Sequence, residues 1–178
     1  MDPATSPNDR SLHILLIEDE PAHAELISLA FKDHDRRHRL TVASSIAAGT
    51  NTLQAESVDA VLVDLLLPDG RGTDLISENA AEADYPILLL TSHGDQEIAV
   101  GAMKAGAHDY LVKSETVFVE LPGIAERAVR AWQENRRRRE AEQALLHVSR
   151  LATIGELIAG GDRRVKRTHF GVEIGPTL

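Results

Sequence analysis

The sequence predicts a doubly wound α/β domain, in which helices cover both faces of a parallel sheet. Short apolar runs of strand length alternate along the chain with helical segments, and this alternation is typical of βαβ units. Most of these runs are apolar at every position, as expected for strands that are buried on both faces. Because ligands of such sheets bind beyond the carboxyl ends of the strands, functional side chains are expected at those ends.

The first strand and helix are marked by a clear boundary. Residues 12–17 (LHILLI) form an apolar run that is closed by Glu18-Asp19-Glu20 and Pro21. The length of this run, and the acidic residues and proline that close it, favour a buried strand. Pro21 suits the first turn of the following helix, since its missing N–H costs little there. In that helix, one face carries Ala22, Leu26, Leu29 and Ala30.

The later elements repeat this order up to a long helix. The stretch PDGRG (68–72) consists largely of residue types that favour turns, and Gly106 ends a helical pattern. The remaining predicted strands are 40–44, 59–65, 86–92 and 109–113, and the remaining helices are 45–56, 73–81, 95–106 and a long one from about 116 onward.

Composition excludes several classes of protein. Hydrophobic residues make up 43% of the 178 residues, so the chain can bury a core, and aromatics make up only 3%, so that core must be aliphatic. The chain has no cysteine, which excludes disulfides, thiolate metal sites and a cysteine nucleophile. The N-terminal residues lack the apolar core of a signal peptide, and no apolar run approaches the length of a membrane span. We therefore expect a soluble, cytoplasmic protein.

Charge divides the chain near residue 125. Residues 1–125 hold 8 Lys and Arg against 21 Asp and Glu, a net charge of −13, whereas residues 126–167 hold 11 against 6, a net charge of +5. This break predicts an acidic domain followed by a differently built segment.

Polar side chains stand at four predicted strand ends: Glu18 with Asp19, Asp64, Thr91 and Lys113. Singly, each is more typical of a helix cap or a solvated position, but parallel strands bring all four ends to one edge. Clustered carboxylates repel one another unless a cation compensates them, and Mg²⁺ prefers such oxygen ligands. Phosphoryl transfer follows as a hypothesis, with Asp64 as nucleophile and with Lys113 and Thr91 holding phosphoryl oxygens.

Four stretches in the same order resemble the receiver domain of two-component response regulators: IEDE (17–20), VLVDLLLPDG (61–70), LLLTS (88–92) and AGAHDYLVK (105–113). The resemblance covers about residues 11–125. It implies a flavodoxin-like (βα)5 receiver fold with a five-stranded parallel sheet. It also implies a histidine kinase, a phosphotransfer protein or a small phosphodonor as the source of phosphate, and a domain that is not an enzyme beyond its own phosphorylation and dephosphorylation.

The resemblance also implies a role for each site residue. Asp64 would accept the phosphoryl group, and Thr91 and Lys113 would contact it. Mg²⁺ or Mn²⁺ would be held by Glu18, Asp19, Asp64 and the backbone carbonyl of Leu66. Tyr110 matches the family's rotating aromatic switch. As a separate hypothesis, Leu66 and His93 flank the site and tune the lifetime of the phosphoryl group, and the alternative is that Leu66 only packs against the loop.

Two positions depart from the common family pattern. Glu18 stands where Asp is commoner, and Ser114 follows Lys113 where many receivers have a proline in a cis bond. A cis bond before a residue other than proline costs about 3 kcal/mol, so we expect the Lys113–Ser114 bond to be trans.

The segment after the receiver is predicted to be mostly one helix. An apolar stripe of Ala125, Ala128, Val129 and Trp132 should pack on the domain, and Arg136–Arg139 should be solvated. A heptad-like seam then predicts a parallel homodimer, with an intramolecular return of the helix as the alternative. The seam consists of Ala141, Ala144, Val148, Leu151, Gly155 and Ile158.

Residues 147–160 (HVSRLATIGELIAG) resemble the start of the dimerisation and phosphotransfer helix of histidine kinases. That family's phosphoacceptor His is expected about where Arg163 stands, and neither His147 nor His169 replaces it. A natural truncation and a reading-frame change both remain open as explanations. The predicted organisation is a flexible N-terminus (1–10), a receiver (11–121), a long helix (122–160) and a poorly structured tail (161–178).

Three other functions compete with that of a stand-alone phosphorelay receiver. One is a receiver-plus-linker fragment of a hybrid histidine kinase. Another, an aspartate-nucleophile phosphatase, is disfavoured because that class expects a DxDx motif at the first strand end. Binding to nucleic acid is disfavoured because the arginine run lacks interleaved aromatics on a chain of net charge −9.

Overall fold

A computed structural model describes the backbone of residues 10–35, 37–79, 83–92 and 96–161, and side chains within these ranges up to His147 except at 77–79, 96 and 98. The predicted flexible N-terminus before Arg10, the residue His93 and the predicted tail beyond Gly161 lie outside the described residues.

Five parallel strands form the central sheet: β1 (His13–Ile17), β2 (Arg39–Ala43), β3 (Ala60–Asp64), β6 (Ile87–Thr91) and β7 (Asp109–Val112). Their order across the sheet is β2-β1-β3-β6-β7, and a separate antiparallel pair consists of β4 (Leu66–Leu67) and β5 (Gly70–Arg71). The predicted doubly wound α/β fold with a long C-terminal helix is confirmed. The helices are α1 (Pro21–His34), α2 (Ile46–Ala55), α3 (Gly72–Asn79), α4 (Gln96–Ala105) and α5 (Glu115–Gly161).

The three central strands β1, β3 and β6 are buried on both faces. Alternate residues of each strand enter different core clusters, because successive side chains of a strand point to opposite faces. Ile14, Leu62 and Leu90 join the cluster that contains residues of α1 and α5. Leu15 and Val63 join the cluster that contains residues of α3 and α4. This double burial explains why the strands are apolar at almost every position.

Helix α1 uses a different face from the apolar face noted in the sequence. Its buried residues are Ile27 and Phe31, and Ala24 packs against them. Leu26 and Leu29 are 47% and 54% exposed. The helix carries apolar residues on two sides, and the side with the large Phe31 side chain covers the sheet.

The first part of α5 packs on the sheet as predicted. Ala125, Ala128 and Val129 are buried, and Trp132 is half-buried. The helix runs through Pro122 without a break. At its start, Ser114 Oγ accepts a hydrogen bond from the N–H of Val117 at 3.2 Å. The peptide bond between Lys113 and Ser114 is trans, as expected.

Glu126 ties α5 to the end of α1. Its Oε1 lies 3.1 Å from His34 Nε2 and 2.9 Å from His38 Nε2. These three side chains have the residue types of a metal site. However, the N–H of Leu12 donates to His38 Nδ1 at 3.2 Å, which places the ring proton on Nε2, the atom that faces Glu126. We therefore assign the cluster as a hydrogen-bonded anchor.

The chain separates into two compact units, one up to Glu134 and one from Asn135. In the second unit, the run Arg136–Arg139 is exposed, as predicted. Arg136 pairs with Glu140 at 2.7 Å along the helix, and Leu145 and Leu146 are largely exposed. Within the part of the chain that the structure describes, no helix combines the length and the apolar character that crossing a membrane requires.

Candidate functional site

The predicted polar residues meet at the carboxyl edge of the sheet. Glu18 and Asp19 follow β1, while Asp64 and Thr91 are the last residues of β3 and β6. Lys113 follows β7, and its N–H donates to the carbonyl of Thr91 at 2.7 Å. The parallel register of these strands places all the ends on the same side, so residues up to 95 positions apart become neighbours.

Lys113 bridges two of the carboxylates. Its Nζ lies 2.7 Å from Asp64 Oδ2 and 2.7 Å from Glu18 Oε2, and it donates to Glu18 Oε1 at 3.0 Å. The side chains of Lys113, Glu18 and Asp64 are 4%, 0% and 10% exposed. An ion pair this deeply withdrawn from water is stable only with close partners, and each of the three groups has one.

Asp19 completes a cluster of three carboxylates. One oxygen each from Glu18, Asp19 and Asp64 lies within 4.8 Å of the others, and Asp19 is the exposed member. Three carboxylates and one ammonium leave a formal charge of −2. Hard oxygen donors with an excess of negative charge fit Mg²⁺ or Mn²⁺, so the donor set of this structure is suited to such an ion.

The other predicted site residues surround this cluster at different depths. Thr91 is 2% exposed and Leu66 is 62% exposed. Tyr110 pairs with Leu89 across β6 and β7 and is half-buried against the α3 and α4 face of the core. His93 lies outside the described residues, so its position relative to Leu66 stays a prediction.

Two contacts of this edge were not predicted from the sequence. His23 on α1 lies with Nδ1 3.4 Å from Glu18 Oε1, and its ring packs on Phe118 of α5. Asp69, which the sequence placed only in a turn, contacts the start of α2. The spacing of five between Glu18 and His23 is a weak local signal, whereas the Asp69 contact spans 23 residues and leaves no local pattern.

The fold and the polar cluster at the carboxyl edge of the sheet together define a class of signalling domain, and sequence comparison supports this classification. The response regulator receiver domain family matches residues 14–118, so the chain belongs to that family, the receiver domains of two-component systems.

The chain is 35% identical over 140 residues to the methanogenesis regulatory protein FilR1 of Methanothrix harundinacea, an alignment that covers 76% of this chain and 31% of that protein. It is 33% identical over 101 residues to the transcriptional regulatory protein KdpE of Staphylococcus aureus, which covers 56% and 42%. The chain thus spans less than half the length of these two relatives.

Among solved structures, the fold is similar to the Mn²⁺-bound form of the response regulator Rcp1. The TM-score is 0.56 at 25% identity, and the match covers 64% of this chain and 91% of that chain.

Proposed function

We propose that this chain is the phosphoacceptor receiver of a two-component phosphorelay, phosphorylated on Asp64 with Mg²⁺ or Mn²⁺ as cofactor. The observation that carries the proposal is the contact of Lys113 with both Asp64 and Glu18, beside the exposed carboxylate of Asp19. Membership of the receiver family and the Mn²⁺-bound relative support the same conclusion.

Phosphorylation requires one bond to form and one to break. A carboxylate oxygen of Asp64 forms the new P–O bond, while the P–N bond of a donor phosphohistidine breaks and its electron pair leaves on the imidazole nitrogen. The distance of 2.7 Å between the ammonium of Lys113 and Asp64 Oδ2 supports a contact of Lys113 with one phosphoryl oxygen, and the Thr91 hydroxyl would donate to another.

A divalent cation held by Glu18, Asp19, Asp64 and the carbonyl of Leu66 would supply positive charge that lets the phosphoryl anion approach these carboxylates. Glu18 and Asp64 are buried beside Lys113, and Asp19 faces solvent. The carboxylate cluster is therefore accessible to solvent at Asp19.

A groove between α1 and the start of α5 is the proposed docking surface for the phosphodonor, a histidine kinase or a phosphotransfer protein. It has a volume of about 650 Å³ and is lined by apolar residues of α1 and of the start of α5, with Asp33 and Glu115 among its charged lining residues. Leu29 and Val119 are 54% and 71% exposed there. These exposed apolar side chains support the groove as a docking surface.

Phosphorylation would act on the rest of the chain through the edge between Thr91 and Lys113. We infer that Thr91 moves toward the phosphoryl group, that Tyr110 turns inward, and that the surface at 95–113 and helix α5 respond. Solution scattering with and without beryllofluoride and Mg²⁺ tests this, and identical profiles would count against it.

Helix α5 is the proposed route to a homodimer. Its continuation beyond Glu134 exposes Ala141 and Ala144 of the predicted seam, and a parallel pairing would bury that seam. The alternative, a receiver-plus-linker fragment of a hybrid kinase, is favoured by the likeness of residues 147–160 to a kinase helix. A His-Glu motif in another reading frame of the DNA past codon 160 would support that alternative.

Leu66 and His93 are proposed to set the lifetime of the phosphoryl group. Leu66 is exposed beside the site, where an apolar side chain hinders the approach of hydrolytic water. We expect the phosphoryl group to decay faster in Leu66→Asn than in wild type, and the opposite order would overturn this role.

The decisive experiment is incubation with acetyl phosphate and Mg²⁺, followed by mass measurement of the intact chain. Wild type should gain one phosphoryl group, and Asp64→Asn should gain none. Asp84→Asn, which changes an exposed carboxylate just before β6 and away from the site, is the matched control and should behave like wild type. Equal labelling of Asp64→Asn and wild type would refute Asp64 as the acceptor.

A further inference from the structure

A small hairpin directly follows Asp64. Strands β4 and β5 pair antiparallel, Leu66 with Arg71 and Leu67 with Gly70, so that Pro68 and Asp69 form the tip. The hairpin carries the backbone carbonyl of Leu66, the proposed fourth protein ligand of the metal. Any motion of the hairpin is therefore motion of that ligand.

The base of the hairpin is fixed against the sheet. The N–H of Leu65 donates to the carbonyl of Leu90 at 2.8 Å, and the N–H of Gly72 donates to the carbonyl of Leu65 at 3.0 Å. A Cβ atom at Gly72 would clash with the backbone carbonyl oxygen of Asp64. Glycine is therefore needed for the chain to return this close to the end of β3.

Among the side-chain hydrogen bonds that the structure describes, only those of Asp69 hold the tip. Its Oδ1 accepts from the N–H of Ile46 and its Oδ2 from the N–H of Ala47, both at 2.9 Å. These two amides begin helix α2, where backbone N–H groups lack partners within the helix and favour negative charge. The same two hydrogen bonds lower the pKa of Asp69.

The helix end does not need Asp69 for its conventional cap. Ser45 is the N-cap of α2, and its Oγ accepts from the N–H of Ala48 at 3.1 Å. The side chain of Asp69 instead joins two segments that are 23 residues apart. A Cβ atom at Gly70 would lie 2.9 Å from Ile46 Cδ1, so the hairpin tip packs closely on the same turn of α2.

We propose that Asp69 is a positioning residue for the metal-binding edge, because it holds the hairpin that bears the Leu66 carbonyl against α2. This inference rests on the proposed function, in which that carbonyl binds Mg²⁺. Without the Asp69 carboxylate, the hairpin tip loses its two hydrogen bonds to α2, and the Leu66 carbonyl has to be ordered when the ion binds. Loss of a residue that orients a metal ligand typically weakens metal affinity by about tenfold or more.

The test is Mg²⁺ titration by calorimetry of the full chain in wild type, Asp69→Ala, Asp69→Asn and Ser45→Ala. We expect the dissociation constant to rise about tenfold in Asp69→Ala and less in Asp69→Asn, whose amide oxygen can still accept one of the two hydrogen bonds. Ser45→Ala is the matched control, because it removes a cap from the same helix end and leaves the hairpin tether intact. It should lower the melting temperature without changing the Mg²⁺ affinity.

A second measurement needs no metal. Hydrogen exchange at the amides of the β4–β5 hairpin, followed without Mg²⁺, should be faster in Asp69→Ala than in wild type and unchanged in Ser45→Ala. Wild-type Mg²⁺ affinity in Asp69→Ala, or equal weakening in Ser45→Ala, would overturn the positioning role. Absence of Mg²⁺ binding to wild type would instead contradict the proposed function on which this role depends.

Discussion

Replacing Lys113 with methionine tests whether the acidic edge depends on one cation. Methionine keeps an unbranched apolar side chain and removes the ammonium, so loss of packing is small and loss of charge is complete. In wild type, Lys113 Nζ lies 2.7 Å from Asp64 Oδ2 and from Glu18 Oε2. The substitution removes the ammonium that pairs with the carboxylates of Asp64 and Glu18, in a site where the Glu18 side chain is fully buried.

The expected cost follows from that burial. Removing one partner of a buried ion pair costs about 3–5 kcal/mol, because the other charge stays buried and uncompensated. Asp64 is 10% exposed and gains some hydration, so the lower end, about 3 kcal/mol, is expected in the absence of divalent cations. For a unit of this size, that loss lowers the melting temperature by about 10 °C.

The assay is urea unfolding followed by circular dichroism, first with a chelator and then with saturating Mg²⁺. Mg²⁺ should restore part of the lost stability, because it replaces the missing positive charge. Lys104→Met, which removes an exposed ammonium on α4, is the control and should cost less than about 1 kcal/mol. If Lys113→Met is as stable as wild type in chelator, the carboxylates do not need Lys113 and the electrostatic reasoning is wrong.

Two further predictions concern the hairpin base and the α5 anchor. Gly72→Ala should destabilise the fold by several kcal/mol and impair phosphorylation, since its Cβ would meet the Asp64 carbonyl oxygen. Gly101→Ala is the control, because the new Cβ there meets open space, and it should stabilise α4 by up to about 1 kcal/mol. Thermal denaturation compares the two variants. Burial raises the pKa of Glu126, but hydrogen bonds from His38 and His34 more than offset this and lower it. Its contribution is therefore present above the ordinary glutamate pKa and is lost as the pH falls through the lowered value. Glu126→Gln should lower the free energy of unfolding by about 1–2 kcal/mol at neutral pH. Urea unfolding of both proteins at about pH 7 and at about pH 3 tests this, because the difference between their midpoints should shrink at the lower pH. An equal difference at both pH values would contradict the assignment.

Local sequence patterns were sufficient to predict the sheet and the residues at its edge. The runs at 12–17, 59–65 and 86–92 are apolar throughout, which a strand buried on both faces requires. Parallel order then places every strand end on one side, so Asp64 and Lys113 could be assigned to one edge before any distance was known. The structure brings them to 2.7 Å.

The face of α1 could not be chosen from the sequence. Leu26 and Leu29 are as apolar as Ile27, and the two sets lie on different sides of the same helix. Burial of Ile27 and Phe31 depends on the shape of the sheet beneath them, which a helical repeat does not encode. The exposed set remains as the apolar wall of a groove.

What the sequence determined by itself is the order of strands and helices and the chemistry at the strand ends, because both follow from backbone geometry and the burial of neighbouring residues. Only the tertiary structure decided how the carboxyl edge and the surrounding helices are held. The bridge from Lys113 to Glu18 and Asp64, the anchor of Glu126 on His38 and the contact of Asp69 with α2 each join side chains that are far apart in the chain. Such contacts depend on the packing of several elements at once, and that packing exists only in the folded molecule.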